Sequence, residues 1–305
     1  MTQQLIECVP NFSEGRRTAV IEDIVAPFRT QTGCYLFDYR ADADHNRLVV
    51  SLVGEPEPIQ TALIAAAKIA SEHIDMETHE GAHPRIGAVD VIPFVPVRNI
   101  TMDACVTIAR DFGQRYFDET GIPVYFYEEA ALKPERRRLE VVRKGQYEAL
   151  KQAAAQPERR PDVGDPALHP RAGATVIGAR KFLIAFNVNL KSSDVDIAKK
   201  IALALRASNG GLAHVKGIGL ALTERNMVQV SVNIVDYEKN PLYRVLEFIR
   251  MEARRWGVEV AETEIYGMVP TDALLGSLEY YMQIADFDPA QSIELKLLEK
   301  MGASD

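Results

Sequence analysis

Eight consecutive residues, Gly81-Ala82-His83-Pro84-Arg85-Ile86-Gly87-Ala88, carry the most specific chemistry in this 305-residue chain. One histidine stands there between small residues and a proline. The glycines permit close backbone approaches that a side chain would block. Pro84 restricts its own φ and steers His83 away from helical geometry. A histidine held in this way changes protonation near neutral pH and can move a proton in either direction. The plainer reading is a loop histidine packed against a turn, and spacing alone leaves both open.

Other patterns are weaker. His79-Glu80-Gly81-Ala82-His83 fits the H-E-x-x-H string, which needs both histidines one turn apart on a continuous helix to hold zinc. Gly81 interrupts that turn and Pro84 follows at once, so no metal site is expected. Gly173-Ala174-Thr175-Val176-Ile177-Gly178-Ala179-Arg180 has the glycine spacing of a phosphate loop but lacks its Lys-Ser/Thr pair. Gly217-Ile218-Gly219 falls inside a strand pattern, where it is no dinucleotide fingerprint. The acidic loop Asp42 to Arg47 reads as solvated, or as a polar wall that orients an amine or carboxylate. Arg16, Arg17, Arg47, Arg85, Arg171, Arg180 and Lys181 are candidate partners for an anionic ligand, though each alone reads as a surface charge.

These residues depend on the elements around them. Apolar residues make up 47% of the chain and charged residues 26%, enough to bury two ordinary cores. A net charge of −8 argues against a nucleic-acid coat. Three scattered cysteines, Cys8, Cys34 and Cys105, suit a reducing compartment. No basic, apolar leader opens the chain, and no run nears the ~18 apolar residues of a membrane span. A cytoplasmic protein without membrane or nucleic-acid partners is expected.

The first half reads as strand Leu5–Val9, a helix through Val20 and Val25, strands Cys34–Tyr39 and Leu48–Val53, and helix Pro58–Ile74. Strand Val89–Val97 follows, with Pro93 and Pro96 placing it at an edge or making it bulged. A helix from Met102 and a strand over Val124–Tyr127 are added. The second half reads as strand Lys181–Leu190, helix Asp194–Ser208, strands Val215–Leu222 and Val228–Val235, helix Pro241–Trp256 and strand Val258–Tyr266. That order, β-α-β-β-α-β, is ferredoxin-like and recurs in the first half. The expected fold is α+β, with two such subdomains over 1–179 and 180–305. Residues 133–160 are charged and helical, and residues 157–173 lack periodicity. So long a connection is either functional or disordered, and its place between the halves is where ligand pockets form. Two further helices close the chain.

Several segments together resemble the formiminotransferase family: Glu7-Cys8-Val9-Pro10-Asn11-Phe12-Ser13-Glu14-Gly15, Gly81 to Ala88, Asp90 to Val97, and Gly173 to Leu190. The resemblance runs from about Leu5 to about Leu275. It implies transfer of a formimino group between N-formimino-L-glutamate and N5 of tetrahydrofolate, a step of histidine degradation. It further implies folate bound in a cleft between two ferredoxin-like subdomains, a homodimer, and no metal. The family's catalytic histidine falls on His83. Its folate-binding segment falls on Gly164, Asp165, Pro166, Ala167, Leu168, His169, Pro170, Arg171, Ala172 and Gly173. The chain is expected to carry the transferase without the cyclodeaminase domain found in bifunctional members. The match departs from the mammalian form at Arg40, two residues after Asp38, where an acidic residue is usual; Asp42 and Asp44 are candidates for that role. The alternatives are a folate carrier and a transferase acting on 5-formyl-tetrahydrofolate.

Overall fold

The computed structural model describes residues 3–302. The chain divides into two compact units, Met1–Arg180 and Lys181–Asp305.

In the first unit the strands are β1 (Leu5–Cys8), β2 (Asn11–Phe12), β3 (Cys34–Asp42), β4 (Arg47–Gly54), β5 (Val89–Arg98), β6 (Val124–Glu128) and β7 (Thr175–Ala179). Helices α1 (Thr18–Thr30), α2 (Pro56–His73) and α3 (Met102–Thr120) connect them. Two short helices, α4 (Leu139–Val142) and α5 (Gln146–Ala153), lie in the excursion between β6 and β7. On α1, Val20, Ile21, Ile24, Val25 and Phe28 recur at one-turn spacing and are buried, the stripe that seats a helix on a sheet. Burying each such side chain contributes roughly 1.5–3 kcal/mol. Across the sheet the strands run β3, β4, then β1 and β2 in line, β5, β7 and β6. Among the described strand pairings of this sheet, only those of β7, with β5 and with β6, are parallel.

Several features differ from the sequence reading. β5 lies inside the sheet, between β1 and β2 on one side and β7 on the other, so its prolines do not mark an edge. They fall where the ladder needs no donor. Cys8 pairs with Phe94 and Asn11 with Val91, so Pro93 faces the Val9-Pro10 break between β1 and β2. Pro96 lies past the last parallel pair, Phe94 with Ala179. Register shifts at Leu5/Ile6 and Asn11/Phe12 supply the irregularity that the prolines announced. The second difference is β7 itself, formed by the glycine-spaced run to which the sequence reading assigned no strand. The acidic loop is also shorter than expected, because β3 continues to Asp42.

The second unit contains β8 (Ile184–Leu190), α6 (Val195–Leu205), β9 (Val215–Leu222), β10 (Met227–Ile234), α7 (Leu242–Arg255) and β11 (Val260–Tyr266). Helices α8 (Thr271–Met282) and α9 (Ile293–Gly302) follow. The sheet order is β11-β8-β10-β9, antiparallel throughout. Alternate residues Ile184, Phe186, Val188 and Leu190 of β8 share a core with Ile201 and Leu205 of α6 and with Val245 and Ile249 of α7. Asn226, with φ of 50°, turns the chain between β9 and β10.

Candidate active site

His83 lies in the connection from α2 to β5, residues 74–88, which contains no helix. Its loop is held at both ends by backbone hydrogen bonds to distant stretches. At the near end, the Ala82 and His83 N–H groups donate to the carbonyls of Asp44 and His45, at 3.1 and 3.4 Å, in the turn between β3 and β4. At the far end, the Ala88 N–H donates to Ala172 O at 2.9 Å and the Ala174 N–H to Ile86 O at 3.1 Å. Between those two bonds Gly87 approaches so closely that a Cβ there would lie 2.1 Å from Ala174 O. Ser13 locks the same point, its Oγ donating to Gly87 O at 2.7 Å and its N–H to Ala88 O at 2.9 Å. Asp90, itself buried, accepts the Ile86 N–H at 2.8 Å and pairs with Arg143.

The His83 side chain is 9% exposed. Burial, reinforced by the charges of Arg143, Arg47, His45 and Arg85, pushes its pKa down to about 2. At neutral pH it is a neutral imidazole in a positive surrounding. A stability consequence follows. Unfolded, this group takes a proton near its ordinary value of 6.5; folded, only near about 2. Stability is therefore fully present above pH 6.5 and falls as the pH drops through that window, by up to ~1.4 kcal/mol per pH unit from this group. Urea unfolding of the wild type is expected to lose about 2 kcal/mol more between pH 7 and pH 5 than unfolding of His83→Ala. An equal pH response in the two proteins would contradict the buried neutral state.

His79, the other histidine of the H-E-x-x-H string, is engaged at both ring nitrogens. Nδ1 accepts from Arg85 Nε at 3.1 Å, which leaves the proton on Nε2, 3.3 Å from Asn46 O. Burial, together with the Arg85 charge, holds its pKa below the ordinary value. The string therefore presents neither a helix nor a free imidazole at His79. Arg85 is buried too, donating to Gln146 and both carboxylate oxygens of Glu148, the latter at 3.0 and 2.7 Å.

Of the Gly164–Gly173 stretch, Ala172 and Gly173 are buried in the ladder beside Gly87, while Gly164, Asp165, Pro166, Ala167, Pro170 and Arg171 are exposed. Leu168 and His169 are half-buried. His169 closes a tight turn: its N–H and C=O exchange bonds with Gly173 at 2.9 and 3.0 Å. Its Nδ1 accepts from the N–H of Ala172 at 2.9 Å, so its proton belongs on Nε2. The structure thus joins the end of this stretch directly to the His83 loop, although 86 residues separate Gly87 from Gly173.

The cationic candidates divide. Arg47 and Arg85 stand near enough to depress the His83 pKa, together with Arg143. Arg16 and Arg17 are tied to the start of α1, where Glu14 accepts both their N–H groups. Arg171 donates to Glu72 O. Arg180 ends the first unit, its N–H bonded to Phe94 O at 3.0 Å. Lys181 pairs with Asp236 and Glu238 in the second unit. Asp38 pairs with Arg40, while Asp42 pairs with His45 in the turn beside the His83 loop. Arg143 and Glu148 carried no motif, while Asp90 and Asn46 lay inside named segments, the Asp90 to Val97 run and the loop Asp42 to Arg47, without a role of their own.

Two family models cover most of the chain. Residues 5–180 match the formiminotransferase domain, N-terminal subdomain, and residues 185–305 match the formiminotransferase domain. The glutamate formimidoyltransferase of Streptococcus pyogenes serotype M1 is 48% identical over 93% of this chain and 95% of its own length. A protein of the same description from Thermoplasma acidophilum is 47% identical, covering 96% and 97%. The formimidoyltransferase-cyclodeaminase of Rattus norvegicus is 46% identical over 91% of this chain, with 52% of that longer protein covered.

Proposed function

Because this chain belongs to the formiminotransferase family, we propose that His83 carries the proton while a formimino group passes between N-formimino-L-glutamate and N5 of tetrahydrofolate. The activity is glutamate formimidoyl transfer, the reaction its relatives are named for. N5 attacks the amidine carbon, and as that C–N bond forms the C=N π pair moves onto the imino nitrogen. The tetrahedral adduct has three nitrogens on one carbon, and the pair returns when the adduct collapses. N5 sheds a proton, and the glutamate nitrogen gains one before its own C–N bond breaks. One imidazole can take the first proton and deliver the second, with no net proton change.

The observation that supports this reading most is the placement of His83. It is buried and neutral in a loop laddered to the end of the Gly164–Gly173 stretch, which we read as the folate segment. Positive charge from Arg143, Arg47 and Arg85 suits the two carboxylates of the donor. Bound carboxylates offset those charges and raise the pKa of the imidazole back toward neutral pH, where proton transfer is most effective.

We read both sheets as ferredoxin-like. The order β11-β8-β10-β9 supports this in the second unit, and β5-β1-β4-β3 within the larger sheet of the first. A cytoplasmic setting fits three buried, free thiols. A homodimer fits the exposed apolar side chains Met282, Ile293 and Leu297 of α8 and α9.

The test is direct. Purified protein is mixed with tetrahydrofolate and N-formimino-L-glutamate, the mixture is acidified, and absorbance of 5,10-methenyl-tetrahydrofolate is followed. The expected result is a signal that requires both substrates. Folate binding without that signal would favour a carrier. Protein-dependent transfer of the formyl group from 5-formyl-tetrahydrofolate to glutamate, followed as N-formylglutamate without acidification, would favour the formyl-donor reaction.

A further inference from the structure

We propose that Asn46 is a positioning residue that clasps the His83 loop to two other stretches of the first unit; this rests on His83 being the proton carrier. Asn46 is 9% exposed and takes a left-handed φ of 48°, a conformation that Asn adopts more readily than most residues. Its side chain is engaged at both ends. Oδ1 accepts the Gly15 N–H at 2.9 Å, and Nδ2 donates to Glu80 O at 2.8 Å. A donor on one side and an acceptor on the other require an amide in this orientation, which neither a carboxylate nor a hydrocarbon can reproduce. The backbone carbonyl of Asn46 also faces His79 Nε2 at 3.3 Å.

The neighbours of Asn46 complete the clasp. Asp44 and His45 accept the N–H groups of Ala82 and His83. Gly81 sits so close that a Cβ there would lie 2.4 Å from His45 O and 2.7 Å from Asn46 Cβ. The β3–β4 turn thus fixes the near end of the loop, and Asn46 fixes that turn to the chain before α1. The far end is held separately, through Gly87 and Ala172. Loss of the Asn46 amide therefore frees the histidine end of the loop while leaving the end joined to the folate segment in place. Proton transfer depends on sub-ångström placement, so such slack lowers turnover more than binding.

The test compares Asn46→Gly, which keeps the left-handed backbone and deletes the amide, with Asn46→Asp, which keeps the Gly15 bond and loses the donor to Glu80. Steady-state kinetics on each, with thermal unfolding in parallel, should show kcat reduced about tenfold or more. KM for tetrahydrofolate should stay within about twofold. Both substitutions are then repeated in a His83→Ala background. If Asn46 acts through His83, its effect on kcat vanishes there, and the double-mutant cycle shows strong coupling. Additive losses would overturn the clasp, as would a wild-type kcat in the Asn46→Gly protein, or in Asn46→Asp should the glycine variant not fold. Wild-type turnover in His83→Ala alone would instead overturn the reading on which the clasp rests.

Discussion

Replacing His83 with alanine is expected to lower kcat by ~10²–10⁴-fold, the usual contribution of one positioned acid–base group. That corresponds to roughly 3–5 kcal/mol of barrier. The expectation rests on proton balance: one nitrogen must lose a proton and the other gain it, and an imidazole without a charge of its own can serve both. The fold should persist, because the loop is held by backbone groups and not by the ring. Ala82, Ile86, Ala88 and the His83 N–H itself make those bonds. Near-native circular dichroism with lost turnover would be the signature. Added imidazole is expected to restore part of the rate, since the removed ring leaves space at the site. Turnover close to wild type in the alanine protein would show that some other group moves the proton.

Gly87→Ala should be among the most damaging single-methyl changes in the first unit. A Cβ there would sit 2.1 Å from Ala174 O and 2.8 Å from Ala172 O. Both neighbours are backbone oxygens of residues held in the ladder, so no flexible side chain can swing aside. Relief requires the two stretches to part, which strips the bonds of Ala88 to Ala172, Ala174 to Ile86 and Ser13 to Gly87. Leaving buried polar groups unsatisfied costs about 1–3 kcal/mol each, so a loss of about 3 kcal/mol or more is expected in urea unfolding. Gly276→Ala provides the contrast. It lies within α8 with nothing within 4 Å of the added carbon, and should be neutral or stabilising by about 0.5–1 kcal/mol. Equal stability of the two variants would mean that the Gly87 contact is not tight.

Much of the element order was legible in the residues. The helices of the second unit show themselves because one apolar face recurs every turn, as in Leu242, Val245, Leu246 and Ile249. β8 shows itself through alternation, with Ile184, Phe186 and Val188 on the core side. β5 misled because proline states a local limit on hydrogen bonding, whereas the ladder decides whether a donor is needed there. β7 escaped because five small or β-branched residues carry too little periodicity to separate a strand from a loop.

The sequence by itself determined the mixed α+β class and, β2 and β7 apart, the succession of helices and strands. It also determined the non-helical course of the His83 loop, where Gly81 and Pro84 act on their immediate neighbours. These are restraints that operate within one or two turns of chain. Only the tertiary structure decided that Gly87 would be laddered to the end of the Gly164–Gly173 stretch. It alone set Arg143 on Asp90, 53 residues away, and the Asn46 amide on Glu80, 34 residues away. Such contacts leave no period to read, because a hydrogen bond or a charge between remote residues depends on where the chain returns and not on what lies next to it.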